Sequence, residues 1–153
     1  MIETAYANTL LGELADTLGL VELALDSRGS AAFVVDDGAI RIDLQLRPGL
    51  GALDLTAWPE PIEMSPARLK AMLAASFCWR DMQGAAFAVE PISGEAVLQL
   101  RCFEHDLAHG GLAAAVERLV RQARAWPKHL ASIDDSTAAA YGRGKTANGA
   151  LRA

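Results

Sequence analysis

The chain has 153 residues, the length of one domain, and 52% of them are apolar types, enough for an ordinary core. Fourteen basic and 19 acidic side chains leave a net charge of −5, which argues against nucleic acid or an anionic membrane as the main partner. A mean hydropathy of +0.17 predicts some apolar surface that a partner covers. No apolar run approaches the ~20 residues of a membrane span, and the acidic N-terminus does not read as an export signal. Cys78 and Cys102 lie far apart with no C-x-x-C spacing, which fits a reducing cytosol.

Residues 2–18 read as an amphipathic helix, because Ile2, Tyr6, Leu10, Leu14 and Leu18 recur every fourth residue and Leu11 widens the stripe. Gly19 ends it. From Val21 to Trp58 the period changes to two. Ser30–Val35 is a short strand, Asp37-Gly38 a two-residue hairpin turn, and residues 40–47 the clearest strand in the chain. Ile40, Ile42, Leu44 and Leu46 share one face of it, Arg41, Asp43, Gln45 and Arg47 the other. Leu53, Leu55 and Ala57 continue the alternation, giving a three-stranded antiparallel meander with one apolar and one polar face.

Trp58-Pro59-Glu60-Pro61 breaks the sheet, and Ser65-Pro66 starts a helix with serine as N-cap and proline at the first position. This second helix is apolar on two sides, with Leu69, Met72, Leu73 and Phe77 on one and Ala71, Ala75 and Cys78 on another. Such a helix packs on two things, the sheet and a second subunit. Residues 84–90 and 96–103 form a second hairpin. Gly110-Gly111 precedes a last helix from Leu112 to about Ala131, with Leu112, Val116, Leu119, Val120, Ala123, Trp126 and Leu130 on one arc and arginines opposite. Pro127 should kink or fray its final turn. Residues 133–153 carry little apolar material and read as a disordered tail after a domain of residues 1–132. The predicted class is α+β, in the order αβββαββα, a twisted antiparallel sheet packed with three helices.

Few residues point to catalysis. Cys102, Glu104, His105, Asp106 and His109 form the best cluster, and the i, i+4 spacing of His105 and His109 suits zinc. That pair, however, straddles a strand-to-helix connection and has no third ligand fixed by spacing. Asp36-Asp37 reads as turn chemistry, and Cys78 as a small core residue. No phosphate loop, G-x-S-x-G or H-E-x-x-H occurs. The expectation is no catalytic residue, no metal and no cofactor. A small metal- or thiol-dependent enzyme built on Cys102, His105 and His109 stands as the alternative from another class.

Several segments together resemble a known family. The opening helix running into LALDSRGSAAFVVDDGAIRIDLQL, then LDLTAWPEP, RLKAMLAASFCWRDMQGAAFAV and LQLRCFEHDL with the arginine-rich helix, are similar to the class I type III secretion chaperones, the Tir chaperone family. The likeness covers residues 2–131. That family often has several glycines between its second helix and fourth strand; here Gly84 stands alone, with Trp79, Asp81 and Gln83 in the other places. The resemblance implies a homodimer in the bacterial cytosol that binds an extended N-terminal segment of a secreted effector and keeps it export-competent. It also implies the secretion ATPase as a further partner. A regulatory protein-binding module of the same fold is the runner-up. The apolar excess on the first helix and first strand makes Leu10, Leu11, Leu14, Phe33 and Val35 the candidate effector-binding set, with part of it expected inside the core. The dimer is expected to form through Leu69, Met72, Leu73, Phe77, Trp79 and Val97.

Overall fold

The computed structural model describes residues 2–78, 80–108 and 110–133. Trp79 of the expected dimer set, His109 of the histidine pair and all of the expected tail except Ile133 lie outside the described residues. The first helix, α1, spans Thr4–Leu18 and stops where Gly19 turns left-handed at φ 69. The Gly19 N–H then donates to the carbonyl oxygen of Asp16 at 3.3 Å. Leu25 is tied back to this helix by its N–H, which donates to Asn8 Oδ1 at 2.9 Å.

Three strands follow, β1 (Ser30–Val35), β2 (Ile40–Arg47) and β3 (Ala52–Trp58). The link between β1 and β2 differs from the expected two-residue turn. Val35 pairs with Ile40, so the link is Asp36–Ala39, and Asp36 and Asp37 both sit in the left-handed region at φ 55 and 54. Aspartate is among the few non-glycine residues that occupy this region readily. Helix α2 spans Pro66–Phe77 with its predicted cap in place: the Ser65 hydroxyl accepts from the Arg68 N–H at 3.4 Å. Strands β4 (Ala86–Val89) and β5 (Ala96–Phe103) complete a five-stranded antiparallel sheet in the order β1-β2-β3-β5-β4.

The chain then adds a helix the sequence pattern did not predict. Helix α3 is a single turn, Glu104–Leu107, too short to show a period. Asp106, part of the candidate chemical cluster, caps it by accepting the Phe103 N–H at 3.0 Å. Helix α4 runs Gly111–Ala131 without a break at Pro127. The frayed end expected there is absent because a proline this late forfeits one N–H bond, while Ser132 still closes the turn on Lys128 and His129.

One face of the sheet and the inner sides of α1 and α4 form the core. Ile42, Leu53, Leu55 and Leu98 of the sheet, with Leu11, Leu14 and Leu119 of the helices, are essentially inaccessible. No charged or polar residue among those described is buried with them, so the core itself is held by apolar burial. Helix α2 lies by the β4 edge. Ser76 Oγ accepts the Phe87 N–H at 2.9 Å, and Arg68 Nε donates to the Leu130 carbonyl oxygen at 3.0 Å, joining α2 to the end of α4. Phe87 meets Trp126 edge-on at 4.8 Å.

The opposite face of the sheet is polar and its charges are mutually satisfied. Asp54 on β3 accepts from Arg101 at 2.6 and 2.9 Å and from Arg47 at 3.1 Å. Asp43 accepts from Arg41 at 2.7 Å and from Trp58 Nε1 at 2.8 Å. Arg101, then Arg47, hold the Asp54 carboxyl below the usual carboxylate range against the opposing effect of partial burial. A carboxyl lowered by folding adds stability above its unfolded pKa of about 3.9, and that stability is lost as pH falls through the folded value. Wild-type protein should therefore lose more urea resistance between pH 6 and pH 3 than Asp54→Asn does. Parallel losses would show that the pair contributes nothing.

Candidate functional site

An apolar groove of about 420 Å³ lies where the end of α1 meets α4 above the end of β1. Leu14, Thr17 and Leu18 line it from α1, Val35 from β1, and Ala113, Ala114, Val116, Glu117, Val120 and Arg124 from α4. The small side chains of Ala113 and Ala114 leave the space that larger residues would fill. A broader depression on the open sheet face, about 530 Å³, is lined by Ser30, Ala32, Arg41, Asp43, Gln45, Asp54 and Thr56. Arg41 and Asp43 pair with each other there, and Asp54 is held by Arg101 and Arg47. Asp26, also in the lining, accepts the N–H groups of Arg28 and Ser30, so the depression offers a partner little unspent attraction. The groove is the better binding surface, since its apolar walls gain by being covered.

The structure divides the effector-binding set. Leu10, Leu11, Leu14 and Phe33 belong to the core. Leu11 is 0% exposed, so no partner can touch it while the fold is intact. Leu14 and Val35 remain relevant because they line the groove. The α4 residues of the groove escaped the sequence reading, which saw that helix only as a core stripe with a solvated face. Adjacent alanines at its start were the available signal, but only the approach of α1 gives them meaning.

The dimer set divides likewise. Leu69, Leu73 and Phe77 follow one another at single-turn spacing on α2, and Leu73 and Phe77 are 73% and 86% exposed. Met72 and Val97, each 3% exposed, are buried within the chain itself and present nothing to a second copy. The reason is geometric: Met72 lies about 100° around α2 from Leu73, on the flank of the stripe that turns into the chain. Ile92, exposed in the turn after β4, and Val89 add further apolar surface.

The residues of the alternative chemical site do not cooperate. Cys102 is buried on β5, and burial, helped by the charge of Asp106, pushes its thiol up to about 11. It is thus a protonated, unreactive thiol at neutral pH. His105 stands in solvent, 3.2 Å from Asp106 and stacked on Phe103. Among the described residues no three histidine, cysteine, aspartate or glutamate side chains are grouped as a metal requires. Cys78, expected in the core, is exposed at the end of α2. Ellman's reagent should therefore titrate one thiol per chain in the native state and the second only on unfolding. Two fast thiols would contradict the burial of Cys102.

No helix of the described residues is long and apolar enough to cross a membrane. No curated protein sequence matches the chain closely. Several solved structures share its fold. The ExsC–ExsE complex contains a chain 22% identical, with a TM-score of 0.74, over 85% of this chain and 97% of that one. The HopA1–SchA chaperone–effector complex gives 18% and 0.70 over 84% and 99%. The Yersinia pestis type III secretion chaperone SycH, in complex with a stable fragment of YscM2, gives 20% and 0.61 over 76% and 95%. At these identities the likeness establishes the architecture. Sequence establishes more: residues 9–127 match the model of the Tir chaperone protein (CesT) family, and the chain belongs to that family.

Proposed function

We propose that the chain is a type III secretion chaperone of the bacterial cytosol, which holds an extended N-terminal segment of a secreted effector by binding alone, without a chemical step. The observation that carries this reading is a junction. Strand β1 lies at one edge of the sheet, and its last residue, Val35, opens onto the apolar groove between α1 and α4. A segment laid along β1 gains main-chain hydrogen bonds there and drops aliphatic side chains into the groove beyond it. Ordering a flexible segment costs free energy, which keeps the complex reversible. Two copies of the domain, residues 1–132, would join through the α2 stripe of Leu69, Leu73 and Phe77, an aligned row of exposed apolar side chains of the kind that gains by being covered.

Ala114→Trp tests the reading. Ala114 is exposed on α4 and lines the groove, so an indole there fills the space without entering the core. Wild-type protein recovered from its native host should carry a secreted protein, retained through its N-terminal part and identified by mass spectrometry. The folded tryptophan variant should lose it. Equal retention by both would move the site elsewhere, and stoichiometric zinc in the purified protein would revive the enzyme.

A further inference from the structure

We propose that Arg124 reads a carboxylate on the bound segment, giving up Asp36 to do so, so that the groove selects an aliphatic stretch followed by aspartate or glutamate. The inference rests on the docking of a segment in the groove and concerns which segments it accepts. Two charged residues line the groove, Glu117 and Arg124. Glu117 is answered on its own helix by Arg121, one turn on, at 3.3 Å. Arg124 instead reaches off the helix, and its Nε and Nη2 donate to the two carboxylate oxygens of Asp36 in the β1–β2 turn.

This two-pronged contact is the one a guanidinium makes with any carboxylate, so an incoming aspartate or glutamate can replace Asp36 bond for bond. The exchange is nearly balanced. The Arg124 and Asp36 side chains are 57% and 31% exposed, and pairs this wet contribute little. Position tips it toward the partner. Arg124 lines the groove and Asp36 does not, so a segment lying there shields Arg124 together with a carboxylate of its own more than it shields the Asp36 pair. Charge favours the same direction, because Lys128 adds a positive charge one turn beyond Arg124 on the same helix.

Two fluorescein-labelled peptides of alternating leucine and serine, ending in glutamate or in glutamine, provide the probe, read by fluorescence anisotropy. Wild-type protein should bind the glutamate peptide roughly five-fold more tightly, with the preference shrinking as salt rises. Arg124→Gln should bind the two alike. Asp36→Asn, where asparagine accepts the same left-handed backbone, should widen the preference by freeing Arg124. Equal binding of both peptides to wild type, blocked by Ala114→Trp, overturns the role of Arg124 and leaves the groove standing. A preference that survives Arg124→Gln overturns it as well. Binding of neither peptide overturns the groove and the inference together.

Discussion

Gly111→Ala should lower the melting temperature by about 10 °C. A Cβ built at Gly111 would stand 1.9 Å from the carbonyl oxygen of Asp106 and 2.8 Å from its carbonyl carbon. Both are backbone atoms, so no side-chain rotation relieves the clash. Asp106 is held in place by its capping bond to the Phe103 N–H, so the α3 turn cannot step aside without losing its own start. Forcing such contacts apart costs about 3 kcal/mol, and each kcal/mol shifts the melting point of a domain this size by roughly 2–4 °C. Gly12 makes the contrast. It lies inside α1 with nothing within 4 Å of an added Cβ. Gly12→Ala should therefore gain about 0.5–1 kcal/mol from helix propensity. Calorimetry of the two variants reads both signs in one experiment. An unchanged melting point for Gly111→Ala would mean that α4 does not start against α3 as described.

Leu73→Glu should convert a dimer into a chain of 16.2 kDa by light scattering, with its circular dichroism unchanged. Leu73 is 73% exposed in the isolated chain, so glutamate meets only water there and the domain keeps its core. Against a second copy the same charge would be buried without a partner, at a cost of several kcal/mol. Met72→Glu must behave differently. Met72 is 3% exposed, and a charge at that point damages the domain before any question of association arises. A wild-type protein that is monomeric at micromolar concentration, or a Leu73→Glu variant that stays dimeric, would remove α2 from the interface.

The elements with a strong period were legible in the sequence. The alternation at residues 40–47, the arc from Leu112 to Leu130 and the Ser65-Pro66 start all reappear in β2, α4 and the cap of α2. Features that depend on meetings between distant segments were not. Leu10 and Leu11 belong to the same apolar stripe whether they face core or partner, and only the seat of α1 on the sheet decides. The one-turn helix α3 is shorter than any period, so its acids read as chemistry instead of capping. Asp36 and Arg124 are 88 positions apart. Their link, and with it the polar end of the groove, follows from the fold and from no local pattern. The exposed α2 stripe was legible as two-sided, but which of Met72 and Leu73 faces inward needed the placement of β4.

The groove also has a place in time. Its walls come from residues 14–18 and Val35 early in the chain and from 113–124 late in the domain, so the groove is not complete until almost the whole domain has been made. Non-local contacts of this kind form late in folding. A nascent or prematurely terminated chain can therefore occupy no partner, and capture begins only with a finished molecule.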